Sequence, residues 1–264
     1  MPDRDAELLI AAARKAGEIA TSYFQRDPDV TDKPDGAGPV TAADLAVNAM
    51  LEAYLQAARP DYGWLSEETE DSPARLTTTR QFIIDPIDGT RAFIDGAKDW
   101  AHALAVVENG VPVAAAVYLP LRGMMFAASK GQGARLNGEP IVVADPVRVE
   151  DAVVLGPKPN FDPKFWRGGQ PPPVRRAFRS SLAYRLCLVA QGRFDAMITL
   201  RPCWEWDIAA GALIVAEAGG VITDPAGRPL RFNNPSAKVP GVLTGGASLH
   251  QALADLLEAS PANP

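Results

Sequence analysis

Leu9, Ala12, Ala16, Ile19 and Tyr23 recur at intervals of three and four, which places them on one face of an amphipathic helix over residues 5–26. Polar sequence rich in Gly and Pro follows as far as Pro39. Thr41 then opens a second helix, with Val47, Leu51 and Tyr54 along one side and Pro60 ending it. Two short strands are predicted at 63–66 and 81–84, each running directly into acidic residues. Between 101 and 143 the pattern changes to apolar runs broken by Asn109-Gly110, Arg122-Gly123 and Asn137-Gly138, which are hairpin signals and predict an antiparallel meander. The Pro- and Gly-rich stretch 156–173 reads as a long loop, either a surface connection or a lid. A helix at 181–191, a strand at 196–200 and a helix from Asp207 to Ala218 complete the series. Helices alternating with blocks of hairpin strands favour an α+β layered fold over a doubly wound parallel sheet. The natural division is an N-terminal sub-layer over 1–150 and a C-terminal one over 151–264, acting as one unit.

Composition narrows the function classes. A chain of 264 residues with 47% hydrophobic content buries a substantial core. Its net charge of −6 and pI near 5.1 argue against a nucleic-acid polymer as partner, because phosphate backbones are gripped by concentrated Lys and Arg. No apolar run approaches the roughly 20 residues that span a bilayer, so no membrane partner is expected and the chain reads as cytoplasmic. Cys187 and Cys203 form no CxxC pair, and His102 and His250 are the only histidines, so thiolate and histidine metal sites are poorly supplied.

The carboxylates carry the candidate chemistry. In Asp85-Pro-Ile-Asp88-Gly89-Thr90 two aspartates follow the apolar run Phe82-Ile83-Ile84, so a buried strand would deliver both to its end, where sheets of this kind place ligands. The same residues also make an ordinary Asp-Pro and Asp-Gly turn. Glu67 ends the preceding strand and belongs to a run of acidic residues, and Asp207 opens a helix, where a cap is the ordinary role for an aspartate. Their conjunction, four carboxylates at element ends with few His or Cys, suits a hard cation such as Mg²⁺. Thr41-Ala-Ala-Asp44 is by itself a capping box. Two other phosphatase chemistries are weaker fits. Cys187 and Arg193 have the Cys-x5-Arg spacing of thiol phosphatases, but the flanks of Cys187 are apolar and disfavour a thiolate. Asp85 and Asp88 stand one residue too far apart for an Asp-x-Asp covalent nucleophile.

Together these motifs are more specific. Glu67-Glu68, Asp85-Pro-Ile-Asp88-Gly89-Thr90, Trp206-Asp207-Ile-Ala-Ala and Glu217-Ala-Gly219-Gly220, in that order, resemble the inositol monophosphatase superfamily of Mg²⁺-dependent, lithium-sensitive phosphatases. Lys33, eleven residues ahead of Asp44 in Val40-Thr41-Ala42-Ala43-Asp44, matches the same pattern and shifts Asp44 from cap to site. The resemblance implies a layered αβαβα sandwich that binds two or three Mg²⁺. By that analogy Glu67, Asp85 and the carbonyl of Ile87 hold one ion, and Asp85, Asp88 and Asp207 a second. Thr90, oriented by Asp44 and near Glu67, positions the attacking water, and Gly89 and Thr90 offer backbone N–H groups to the phosphate.

The segment from Ser180 to Gly192, with Pro202-Cys-Trp-Glu-Trp-Asp207, looks more like the 3′(2′),5′-bisphosphate nucleotidases, which act on 3′-phosphoadenosine 5′-phosphate. Inositol-selective relatives carry a glutamate seven residues before the helix aspartate, where this chain has Leu200. A small phosphorylated metabolite is therefore the expected partner, with Lys33, Leu200, Arg201 and Trp204 as candidate substrate contacts. An inositol or sugar phosphatase and a metal-binding module without turnover are the alternatives, and a homodimer is compatible with all of them.

Overall fold

The computed structural model describes residues 2–26, 29–33, 38–145 and 148–258, so part of the polar stretch expected before Pro39 lies outside the described residues. The helix α1 (Pro2–Tyr23) is followed by a hairpin of β1 (Val30–Asp32) and β2 (Pro39–Thr41), then α2 (Ala42–Ala58). Next come β3 (Gly63–Ser66), β4 (Arg80–Asp88) and the short α3 (Thr90–Ile94). The expected meander is β5 (Ala101–Glu108), β6 (Val111–Leu119), β7 (Met124–Ser129), β8 (Ala134–Leu136) and β9 (Glu139–Ile141). The second half runs β10 (Val153–Leu155), β11 (Arg175–Ala177), α4 (Leu182–Ala190), β12 (Ala196–Thr199), β13 (Cys203–Trp204) and α5 (Glu205–Glu217). It ends with β14 (Val221–Thr223), β15 (Lys238–Val239), β16 (Val242–Gly245) and α6 (Ala247–Leu256).

Strands β3 to β9 form one sheet in sequence order, antiparallel apart from the β3–β4 pair. A second, mixed sheet has the order β11-β10-β12-β16-β14. The period-two alternation of β4 explains how the layers form. Phe82 and Ile84 join Leu9, Ala16, Val47 and Leu51 of α1 and α2 on one face, while Ile83 packs on the other with Leu186 of α4 and Ile208 and Val215 of α5. The second sheet repeats the device: Leu155 and Met197 face α4 and α5, whereas Val154 and Ile198 pack outward against Leu249 and Leu253 of α6. The result is the αβαβα sandwich, with α4 and α5 buried between two sheets. Central placement explains why α5 is apolar nearly all round and shows no amphipathic period.

The hairpin dipeptides sit where expected, with Asn109 and Asn137 both at positive φ ahead of their glycines. Glu217 accepts from the N–H groups of Gly131 and Gly133, each at 2.8 Å, and so pins the β7–β8 turn to the end of α5. The 156–173 segment is no bare loop. It folds into short 3₁₀ turns that bury Trp166 against Phe161 in the outer core beside α6, so it braces that layer. No local pattern marks β1, β2, β10, β11, β13, β14, β15, β16 or α6. The strands among them are two to four residues long and owe their pairing to neighbours elsewhere in the chain.

Candidate active site

Strand β4 is longer than its apolar core suggests, because pairing with β5 continues to Asp88. Residues three apart on a regular strand point to opposite faces. Here the register shifts between the Asp85–Ala103 and Asp88–Ala101 pairs, and the irregularity lets both carboxylates face α5. Asp207, in the first turn of α5, meets them there: Asp85, Asp88 and Asp207 each offer an oxygen within 4.8 Å of the other two. Gly89 then turns the chain at φ +100°, and a β-carbon there would sit 3.2 Å from the carbonyl of Asp99.

Asp88, Asp44 and Glu67 are each held by neighbouring groups. One oxygen of Asp88 accepts from the Ser181 hydroxyl and from the Ala183 N–H, both at 2.6 Å, at the start of α4, which leaves the other oxygen free to face the cluster. Asp44 caps α2 and also reaches Thr90. Its Oδ2 accepts from the Thr41 N–H at 2.9 Å and from the Thr41 hydroxyl, completing a capping box, while its Oδ1 lies 3.3 Å from the Thr90 hydroxyl. Thr90 has one proton and a second acceptor, the carbonyl of Ile87 at 3.2 Å. Lys33 bridges Glu67 at 2.7 Å and Glu68 at 2.6 Å.

Two supporting groups were not singled out beforehand. Ser181 was readable as an N-cap ahead of an apolar run, but its second role at Asp88 depends on the fold. His102 carries no local signal. It is fully buried beneath the Asp85–Asp88 segment, its pKa pushed down to about 4 by burial, and as a neutral ring it donates from Nδ1 to the carbonyl of Pro86.

The electrostatics point to a cation. Burial, and then the charges of Glu67, Asp88 and Asp207, push the Asp85 carboxyl well above its ordinary range. Burial and the charges of Asp88 and Glu67 do the same to Asp207, and burial raises Asp88 and Asp44. Asp85 Oδ1 is buried without a hydrogen-bond partner among the described residues. An orphaned oxygen facing two further carboxylates fits a hard divalent ion with all-oxygen ligands. Glu68, raised to about 7 by burial despite Lys33, adds to the strain. These folded-state pKa values lie above the unfolded ones, so the groups favour folding when protonated and disfavour it once pH rises through the folded values. With a chelator present, the melting temperature is therefore expected to fall from pH 5.5 to pH 8, and added Mg²⁺ is expected to raise it more at pH 8 than at pH 5.5. A stabilisation by Mg²⁺ that does not grow with pH contradicts this reading.

The candidate substrate contacts are more dispersed. Leu200 follows β12, packs against the outer core and lines a cavity of about 80 Å³ with Phe165, Pro225 and Leu257. Arg201 is exposed, with its charge close enough to favour ionised Asp207. Trp204 stacks on Trp206 at 4.6 Å, and the Lys238 ammonium lies 3.9 Å from its centroid, while the residue stays exposed. Cys187 is buried inside α4 with its thiol pushed well up by burial, which removes the thiolate chemistry considered for Cys187 and Arg193.

The sequence profile of the inositol monophosphatase family matches residues 1–262. The chain belongs to the inositol monophosphatase family. It is 33% identical over 232 residues to inositol monophosphatase 2 of Solanum lycopersicum, covering 84% of this chain and 87% of that one. It is 30% identical over 228 residues to the 3′(2′),5′-bisphosphate nucleotidase CysQ of Escherichia coli K12, covering 83% and 90%. Among solved structures, an inositol monophosphatase of Thermotoga maritima superposes with a TM-score of 0.81 at 30% identity, over 97% of this chain and 96% of that one. Membership of the inositol monophosphatase family makes the chain a phosphatase, a hydrolase of small phosphorylated substrates, in a family that is generally metal-dependent. No helix among the described residues is long and apolar enough to cross a membrane.

Proposed function

We propose that the protein is a Mg²⁺-dependent phosphomonoesterase that hydrolyses a small phosphorylated metabolite by direct attack of water, with 3′-phosphoadenosine 5′-phosphate as the preferred substrate. The observation that carries the chemistry is the convergence of Asp85, Asp88 and Asp207 with an unpartnered oxygen on Asp85. Glu67, Asp85 and the Ile87 carbonyl would hold one ion and Asp85, Asp88 and Asp207 another, in a catalytic unit whose 1–150 part supplies most ligands and whose 151–264 part supplies Asp207. Bound Mg²⁺ supplies a Lewis acid that lowers the pKa of water and offsets charge on the phosphoryl oxygens. The rest falls to the chain. When the Thr90 hydroxyl donates to Asp44, its lone pairs are left to accept a hydrogen bond from the attacking water and so orient it. Glu67, held by Lys33, stands ready on the same side, and the N–H groups of Gly89 and Thr90 face the phosphate.

A substrate with a second phosphate is favoured by the rim of this site. Arg122 donates to Asp99 at 3.0 Å and Arg179 reaches the same carboxylate at 3.7 Å, so two cations share one anion. The Asp99 carbonyl abuts Gly89, and Arg122 lies over the ring of Tyr184, the residue after Ala183, whose N–H binds Asp88. Position 200 is a leucine, which offers a polyol no hydroxyl acceptor. An unpaired hydroxyl lowers affinity about ten- to hundredfold. The test is phosphate release from 3′-phosphoadenosine 5′-phosphate, inositol 1-phosphate and fructose 1,6-bisphosphate at matched subsaturating concentrations. The bisphosphorylated nucleotide is expected to have the highest kcat/KM, and faster hydrolysis of inositol 1-phosphate overturns the preference while leaving the metal chemistry standing.

A further inference from the structure

Glu205 is a carboxylate with no exposed surface, two residues ahead of Asp207, and it forms no ion pair among the described residues. Its partners are all on one segment: Oε2 accepts from the Asn233 N–H at 2.6 Å, and Oε1 from the Asn234 N–H and side-chain amide, both at 2.7 Å. Asn233 takes a positive φ of 61° to present its backbone this way, a conformation Asn tolerates better than most residues. The same two asparagines grip Arg75 from the other side. The Arg75 guanidinium donates to Asn233 Oδ1 at 2.7 Å and to the Asn234 carbonyl at 3.0 Å, and Asn233 returns a bond to the Arg75 carbonyl at 3.3 Å. Arg75, itself 2% exposed, also holds Asp71 with a two-bond fork at 2.6 and 2.8 Å. Asp71 closes the acidic loop that begins at Glu67.

We propose that Arg75, Asn233, Asn234 and Glu205 form a positioning clamp that fixes the Glu67 loop relative to the first turn of α5, and thereby sets the spacing of the two metal positions. The inference rests on the proposed metal chemistry. Glu67 and Asp207 lie on separate layers joined locally through this network, and Glu67 is already fixed on its other side, where its N–H bonds Ile84 and Asn48 of α2 bonds Thr69. Releasing the clamp leaves every ligand in place and loosens only the distance between them.

Clamp residues touch no ion, so their variants are read by metal binding as well as by activity. In Glu205→Gln, and in Arg75→Lys, which keeps a charge but loses the fork, Mn²⁺ affinity measured by electron paramagnetic resonance on chelator-stripped protein is expected to weaken about tenfold, as loss of outer partners of metal ligands commonly does. The Mg²⁺ concentration for half-maximal activity should rise by a similar factor, with KM at saturating Mg²⁺ little changed. Asp5→Asn serves as the control, because Asp5 is an equally buried carboxylate paired with Arg59 and Arg80 at a distance from the site. It should lower the melting temperature and leave Mn²⁺ affinity as in the wild type. Wild-type affinity in both clamp variants, or an equal loss in Asp5→Asn, overturns the clamp alone. A wild type that binds no Mn²⁺ overturns the clamp together with the metal chemistry beneath it.

Discussion

Replacing Asp88 or Asp207 with asparagine is expected to lower turnover by at least about 100-fold, the usual cost of removing one preorganised charge from a transition-state site. The shape survives the change. In Asp88→Asn the side-chain oxygen can still accept from Ser181 and Ala183, so α4 stays docked. In Asp207→Asn one of three crowded charges disappears, and because burial and like charges already push Asp207 well up, the metal-free variant should melt no lower than wild type at pH 8. Loss of activity with retained or increased stability separates a metal ligand from a helix cap, whose removal costs roughly 1 kcal/mol. Near-wild-type turnover in either variant at ordinary Mg²⁺ contradicts the assignment.

Asp44→Asn should damage two functions at once. The amide cannot accept from Thr41 on one side and from Thr90 on the other, since one of its two ends is now a donor. Loss of the capping box predicts a stability decrease of about 1 kcal/mol. Loss of the acceptor that orients Thr90 predicts a fall in kcat of about 10²–10⁴, the range for a group assisting proton transfer from water. Thr90→Val isolates the second effect, because it leaves the Thr41–Asp44 box intact. Thermal melts and kinetics on both variants decide the matter, and a destabilised but fully active Asp44→Asn would return that residue to a purely structural role.

Much of this site was legible before any coordinates. The Phe82-Ile83-Ile84 run marked a buried strand, and acidic residues at its end and at the start of an apolar helix were enough to suggest an oxygen-ligand metal site. The hairpin dipeptides placed the meander because Asn and Gly tolerate positive φ, a property that belongs to the residue itself. What could not be read depended on neighbours far along the chain. Nothing local shows that Ser181 reaches Asp88 ninety-three residues earlier, or that Arg75 meets Asn233 across 158 residues. The register shift between Asp85 and Asp88 is invisible for the same reason: it is a property of pairing with β5. The packing of Leu200 on the outer core is equally hidden, because spacing from Asp207 along the chain does not show which side of β12 the side chain takes.

If Asp85, Asp88 and Asp207 hold Mg²⁺ for direct hydrolysis of a phosphate monoester, activity must follow the metal. Phosphate release should be measured on purified protein after exhaustive chelation, and again after Mg²⁺ alone is restored. The expected result is no turnover above background in the chelated protein, full recovery with Mg²⁺, and inhibition of the recovered activity by Li⁺ or Ca²⁺. Undiminished phosphate release after chelation would contradict it.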